Sequence, residues 1–178
     1  EDAYPAALSG GQQQRAAFAR ILASDAGLLL LDEPFSALDS YLKWQLEQEL
    51  GHVLKEYGGS AVFVSHDRGE VYRLCSRAAV MHEGRMEVVA PKKELFEHPQ
   101  TLAGALLTGC KNVSAAYRLD EQRIFARDWG IALELPAGQS LPADLGYAGL
   151  RAHFFELAEG PGRNVFAAEI VQVIEDTF

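Results

Sequence analysis

Two adjacent carboxylates, one histidine and a glycine pair carry the chemistry that this sequence can offer. Asp32 and Glu33 follow directly on the apolar run Leu28–Leu31 and precede Pro34. A carboxylate at the C-terminal tip of a parallel strand sits where open α/β sheets bind ligands. Asp32 in that place suits Mg²⁺, an ion that takes one or two carboxylates and completes its shell with phosphate oxygens. Glu33 can orient and deprotonate an attacking water. Taken alone, the pair reads equally well as solvated acids opening a loop. His66, in Ser65-His66-Asp67 after the apolar run Ala61–Val64, can touch a phosphate oxygen and hold that water, although a lone histidine after a strand is more often structural. The third element is Ser9-Gly10-Gly11-Gln12. Two glycines at a helix start let the backbone approach an anion, and the helix dipole favours negative charge there. The competing reading is a plain capped helix.

These groups need strands and helices to hold them. Ser9 with Gln12 has the form of a capping box, and Ala16, Ala17, Phe18, Ile21 and Leu22 continue on helical spacing to Ala23. Asp25-Ala26-Gly27 should end that helix. Leu28–Leu31 reads as a central strand, apolar on both faces. A helix is expected from Tyr41 to Tyr57, with Leu42, Leu46, Leu50, Val53, Leu54 and Tyr57 on one face, and Gly58-Gly59 as its stop. Asp67 can cap a short helix through Cys75, with Glu70 in the reciprocal position. Ala78–His82 and Met86–Val89 form a hairpin pattern, and Pro91 and Pro99 start two short helices, the second ending near Thr108. After Gly109 the pattern changes to short strands: Val113–Leu119, Arg123–Arg127, Ile131–Leu135, about Leu150–Leu157 and Val165–Ile174. The expected organisation is therefore an α/β domain over residues 1–108 and a small β-rich domain over 109–178.

Composition limits the partners. The chain has 178 residues, which at about 150 residues per domain corresponds to one domain and part of another. Lys plus Arg total 16 against 25 Asp plus Glu, a net charge of −9, and no basic run is interleaved with aromatics. Nucleic-acid binding is not expected from such a balance. Cys75 and Cys110 are far apart, which excludes a disulfide framework or a cysteine zinc site and fits a reducing compartment. His52, His82, His98 and His153 show no metal-ligand spacing. The run Leu28–Leu31 is far too short to span a bilayer.

In order and spacing the motifs resemble the ABC-transporter ATPase family. LSGGQQQRAAFAR (Leu8–Arg20) is similar to its signature, LLLLDEP (Leu28–Pro34) to its Walker B strand and catalytic Glu, SALD (Ser36–Asp39) to its D-loop, and VFVSHD (Val62–Asp67) to its switch His. The resemblance covers about residues 4–108. It implies a P-loop NTPase-like α/β fold, ATP and Mg²⁺ as cofactors, and ATP hydrolysis. It further implies Asp32 as the Mg²⁺ residue, Glu33 as general base and His66 as the group sensing the γ-phosphate. Asp39 would face a second ATPase subunit, and Ser9, Gly10, Gly11 and Gln12 would close over ATP held by that subunit in a head-to-tail homodimer. Membrane permease subunits would be the other partners, which implies a peripheral location at the cytoplasmic face of the plasma membrane. The family also needs a Gly-x-x-x-x-Gly-Lys-Ser/Thr loop ahead of the signature, and no Gly-Lys pair occurs in the sequence. The expectation is that the chain is the C-terminal part of an ATPase subunit and is inactive by itself.

The second half resembles importer regulatory segments. Thr108-Gly109-Cys110-Lys111-Asn112 is similar to the version in molybdate-type importer ATPases. Tyr147–Leu157 and Gly162–Val173 resemble parts of the molybdate-binding, TOBE-like β fold. That implies import of an oxyanion, molybdate first, with sulfate, ferric iron or a sugar as alternatives. The β domain either senses the oxyanion, with Arg151 or Arg163 supplying charge, or serves as a spacer or dimerisation module without ligand.

Overall fold

A computed structural model describes residues 4–23, 26–136 and 138–175. By its internal contacts the chain divides into two compact units, Glu1–Gly109 and Cys110–Phe178.

The first unit is mixed α/β. After a 3₁₀ turn at Pro5–Ala7, helix α1 spans Gly10–Leu22. Ser9 caps it: the Ser9 Oγ accepts the Gln12 N–H, and the Gln12 side chain accepts the Ser9 N–H. Reciprocal bonds of this kind satisfy two of the donors that a helix start leaves unpaired. Ala23 is the C-cap, and Asp25, expected in the stop, lies outside the described residues. Strand β1 (Leu28–Asp32) pairs in parallel with β2 (Ser60–Val64), with Leu28 opposite Ser60 and Asp32 opposite Val64. Between them runs α2 (Ser40–Glu56), capped by Asp39, whose Oδ1 accepts the Tyr41 and Leu42 N–H groups. Helix α3 (Arg68–Leu74) follows β2 and is tied to α2 by the Arg73 guanidinium, 2.7 Å from the buried Glu47 carboxylate. Strands β3 (Arg77–His82) and β4 (Arg85–Pro91) form a hairpin through Glu83 and Gly84, both at positive φ, as a tight primed turn requires. Helices α4 (Lys92–Glu97) and α5 (Leu102–Leu107) close the unit.

One core is built from Leu29 and Leu31 of β1, Phe35 of the following loop, and Leu46 and Leu50 of α2, with Phe18, Leu42 and Phe63 packed against them. Phe35 is its anchor, edge-on to Phe18 and tilted against Phe63. A second cluster joins Ala78, Val80, Ala90 and Leu95. Strand β1 departs from the expectation of burial on both faces. Leu29 and Leu31 are buried, whereas Leu30 is 68% exposed and Val62, opposite it, 50%. The composition of a strand reports that both faces are apolar, while coverage depends on which elements pack there. Among the described residues the helices cover only the Leu29 face.

The second unit is an antiparallel sheet of four strands in the order β7-β6-β5-β8, formed by β5 (Asn112–Arg118), β6 (Arg123–Ala126), β7 (Ile131–Glu134) and β8 (Tyr147–Leu150). The β6–β7 turn is Asp128-Trp129-Gly130, with Gly130 at φ 67°. The Asp128 carboxylate accepts the Ala115 N–H, and the Asp128 N–H donates to the buried Ser114 hydroxyl, which pins the turn to β5. Beyond β8 come a 3₁₀ turn at Ala152–Phe154 and irregular chain through residue 175. The strands expected at about Leu150–Leu157 and Val165–Ile174 are therefore absent apart from the end of β8. Apolar, β-branched sequence favours a strand only where a neighbouring edge receives its N–H and C=O groups. None of the described strands pairs with 165–174, and Val171 is 94% exposed.

Phe35→Ala, at a residue with 1% exposure, is expected to cost about 3–5 kcal/mol in denaturant unfolding of the chain. Leu30→Ala on the open face should stay within about 0.5 kcal/mol of the parent chain.

Candidate functional site

The parallel register of β1 and β2 brings the acid pair and the histidine to one place. Asp32 ends β1 opposite Val64, which ends β2. Glu33 then donates its N–H to the Val64 carbonyl (2.9 Å), and His66 lies two residues beyond Val64. The Glu33 Oε1 accepts the His66 N–H at 3.1 Å and sits 2.7 Å from the ring Nδ1. The Glu33 backbone is in the left-handed region, φ 45°, a conformation that costs a non-glycine residue of order 1–3 kcal/mol. It is held on three sides: by Val64, by His66, and by Ser36, whose N–H and hydroxyl both donate to the Glu33 carbonyl. Phe35, buried in the core, anchors the same turn.

This geometry has an electrical consequence. The bond from Glu33, with its negative charge, raises the His66 pKa above the ordinary histidine value of 6.5. The ring is well exposed, so solvent screens the pair. The Glu33 Oε2 has no hydrogen-bond partner among the described residues, which leaves a lone pair able to accept a proton. The Asp32 carboxylate is exposed and likewise without a partner. A hard oxygen donor, open to solvent at a strand tip, fits a divalent cation such as Mg²⁺. No group of three or more His, Cys, Asp or Glu among the described residues is arranged to hold a metal by itself, so an ion at Asp32 would depend on oxygens from its ligand.

Ser9, Gly10, Gly11 and Gln12 are not joined to Asp32, Glu33 or His66 by any hydrogen bond among the described residues. Ser9 and Gln12 spend their capping bonds on each other. The glycines differ: a side chain at Gly10 would meet open space, whereas a Cβ at Gly11 would lie 2.4 Å from Leu42 Cδ2. Gly10 thus leaves room for an approaching anion, and Gly11 allows α1 to pack on α2. The Asp39 Oδ1 is occupied by capping α2.

Several positioning contacts carry no sequence signal. The Gln14 side chain donates to the Pro34 carbonyl and ties α1 to the turn after Glu33. Lys43 lies 2.6 Å from both Asp67 and Glu70. Asp67 does cap α3, through Gly69 and Glu70 N–H groups, but Glu70 does not close a reciprocal box. It accepts the Ser65 hydroxyl, and Ser65 takes the Asp67 N–H instead. The hydrogen bond donated by Lys43 holds the Asp67 carboxyl below its ordinary pKa, and donation to Asp67 and Glu70 holds the Lys43 amine above its own.

In the second unit, Arg163 lines a cavity of about 370 Å³ with Arg123, Gln122, Leu135, Asp120 and Glu134. Asn164, at φ 57°, lays its amide along β7, accepting the Glu134 N–H and donating to the Glu134 carbonyl, both at 2.8 Å. Arg151 does not line this cavity.

The family described as "ABC transporter" matches residues 1–36, which span the signature-like helix and the acid pair. The chain is 44% identical over 120 residues to "Fe(3+) ions import ATP-binding protein FbpC" of Haemophilus influenzae, covering 67% of this chain and 34% of that protein. It is 43% identical over 112 residues to "Spermidine/putrescine import ATP-binding protein PotA" of Oleidesulfovibrio alaskensis, 63% of this chain and 30% of that one. It is 35% identical over 162 residues to "Sulfate/thiosulfate import ATP-binding protein CysA" of Brucella melitensis, 91% of this chain and 44% of that one. Over these stretches the chain is similar to ABC-importer ATP-binding proteins. It spans between 30% and 44% of the length of these curated relatives. No described helix is long and apolar enough to cross a membrane.

In an NMR titration of the chain, His66 is expected to titrate above 6.5. A raised folded pKa contributes stability in full at pH below the unfolded value, and that contribution fades as pH rises through the folded value. Glu33→Gln should move the His66 midpoint back toward 6.5, and an unmoved midpoint would place the cause elsewhere.

Proposed function

We propose that this chain belongs to an ATP-binding subunit that couples ATP hydrolysis to solute import through membrane permease subunits. The observation that carries the reading is the Glu33–His66 pair at the tips of two parallel strands, one residue from an unpartnered Asp32. In this reading Glu33 accepts a proton from the attacking water on its free Oε2, while Oε1 remains bound to His66. The His66 ring, fixed through Nδ1, presents its other nitrogen to a γ-phosphate oxygen. Asp32 holds Mg²⁺, which offsets phosphate charge when bound. Ser9, Gly10, Gly11 and Gln12 serve a second nucleotide site. In this reading the protein is a head-to-tail homodimer in which each subunit's signature helix closes over ATP held by the other. Gly10 provides the open approach, the exposed helix start provides N–H donors, and Asp39 faces the partner. The subunit would work peripherally at the cytoplasmic face of the membrane.

Residues 109–178 are proposed as a β-rich, TOBE-like regulatory domain, and the solute as an oxyanion, molybdate first. The sulfate/thiosulfate relative supports the class, because its 162 matched residues must extend well into the second unit. The iron relative, at higher identity over a shorter span, favours ferric iron as the alternative. The cavity at Arg163 bears on the ligand's charge. Arg123 and Arg163 share its lining with Asp120 and Glu134, and Arg123 is already ion-paired with Asp120 at 2.6 Å, so a dianion there competes with at least that contact. The Asp120 carboxyl is already kept below its ordinary pKa by the Gln122 N–H and by Arg123.

Two measurements test the reading. In the complete protein, Glu33→Gln is expected to lower ATP turnover by at least about 10²-fold while leaving ATP binding intact. Turnover surviving that change would remove Glu33 as the base. Isothermal titration of the chain with molybdate, tungstate and sulfate should give heat with at least one of them. Silence from all three would favour a spacer role for the second unit.

A further inference from the structure

We propose that Lys43 is a positioning residue that ties the Asp39 end of α2 to the loop carrying His66. The consequence for catalysis rests on the ATPase reading above, whereas the coupling itself is a property of the fold. Lys43 donates its backbone N–H to the Asp39 carbonyl at 2.8 Å, so its main chain belongs to the first turn of α2. Its ammonium reaches across 24 residues of sequence to Asp67 and also to Glu70, each at 2.6 Å. These two carboxylates flank His66 on its C-terminal side. The Glu70 carboxylate also accepts the Ser65 hydroxyl, on the N-terminal side of His66, and the Ser65 oxygen in turn accepts the Asp67 N–H at 3.0 Å. The residues on either side of His66 are thus held in one network whose only cation among the described residues is Lys43, and His66 itself is held by Glu33.

The burial pattern explains why a lysine is required. The Glu70 side chain is 4% exposed, and a buried carboxylate without a cation is strongly destabilising. The Lys43 ammonium compensates both Glu70 and the partly exposed Asp67, with three N–H donors available on a flexible stem. The network is therefore bound to form whenever α2 and α3 pack, and a shift of the Asp39 turn is transmitted to Ser65, His66 and Asp67 together. Packing of α2 on α3 has a separate anchor in the Arg73–Glu47 pair, so the helices keep their contact when Lys43 is altered.

The test is amide hydrogen exchange on the 178-residue chain, read at the His66 N–H that donates to Glu33. The double substitution Lys43→Met with Glu70→Gln removes both charges and leaves no uncompensated buried ion. It is expected to speed His66 amide exchange by about tenfold, with the Leu46 and Leu50 amides of α2 unchanged. Ser65→Ala cuts the relay without touching the ion pairs and should produce the same acceleration, which keeps the proposal testable if the double variant does not fold. Lys43→Arg, which retains the charge, should remain within about twofold of the parent chain. Unchanged His66 exchange in Ser65→Ala or in the folded double variant would overturn the proposal, as would Lys43→Arg behaving like the double variant. The readout uses no nucleotide. If the ATPase reading fails in the complete protein, the exchange result stands, and if the exchange result fails, the Glu33→Gln experiment is unaffected.

Discussion

The parallel pairing of Leu28–Asp32 with Ser60–Val64 is the constraint on which the rest of the candidate site depends. Each strand by itself leads into polar residues with no defined neighbour. Paired in this register, with Asp32 opposite Val64, the strands deliver Glu33 and His66 to within hydrogen-bond distance. A slip by one residue would turn every side chain of a strand to the other face and separate the pair. The register is fixed by the buried face, where Leu29, Leu31 and Phe63 must all meet α2 and Phe35. Core packing and site geometry are thus one constraint seen from two sides.

The left-handed turn at Glu33 follows from that constraint. A non-glycine residue adopts φ 45° only where its surroundings leave no cheaper choice. Val64, Ser36 and His66 each hold one group of Glu33, and the buried Phe35 prevents the loop from relaxing. The result is a carboxylate with one oxygen engaged and one open, beside an acid that has no hydrogen-bond partner among the described residues. Gly11 shows the same coupling of packing and chemistry at the other end of α1. Its missing side chain admits Leu42, while its neighbour Gly10 stays open to solvent.

The second unit follows a different logic. Its sheet is antiparallel and local, with each strand paired to a neighbour close in sequence except β8, which returns to β5. Asn164 supplies, through one side chain, the pair of hydrogen bonds that another strand would have offered to β7. This places Arg163 beside Arg123, Asp120 and Glu134 in a cavity whose formal charges balance. Within it Arg123 is ion-paired with Asp120 at 2.6 Å.

By itself the sequence determined the elements whose signals are local. The capping box at Ser9, the cap at Asp67, the apolar runs at Leu28–Leu31 and Ala61–Val64, and the hairpin turn at Glu83-Gly84 are set by neighbours within a few residues, so they were legible in order. The same holds for the proximity of Asp32 to Glu33 and for the similarity to importer ATP-binding proteins. What the tertiary structure decided is non-local. It covered the Leu29 face of β1 and left the Leu30 face open, and it left 165–174 without a strand partner despite its β-branched residues. It joined Lys43 to Asp67 and Glu70 across more than twenty residues of chain, and Gln14 to Pro34. Residue type records what a side chain can do, in burial or in charge, and only the packing of distant segments chooses which partner it meets.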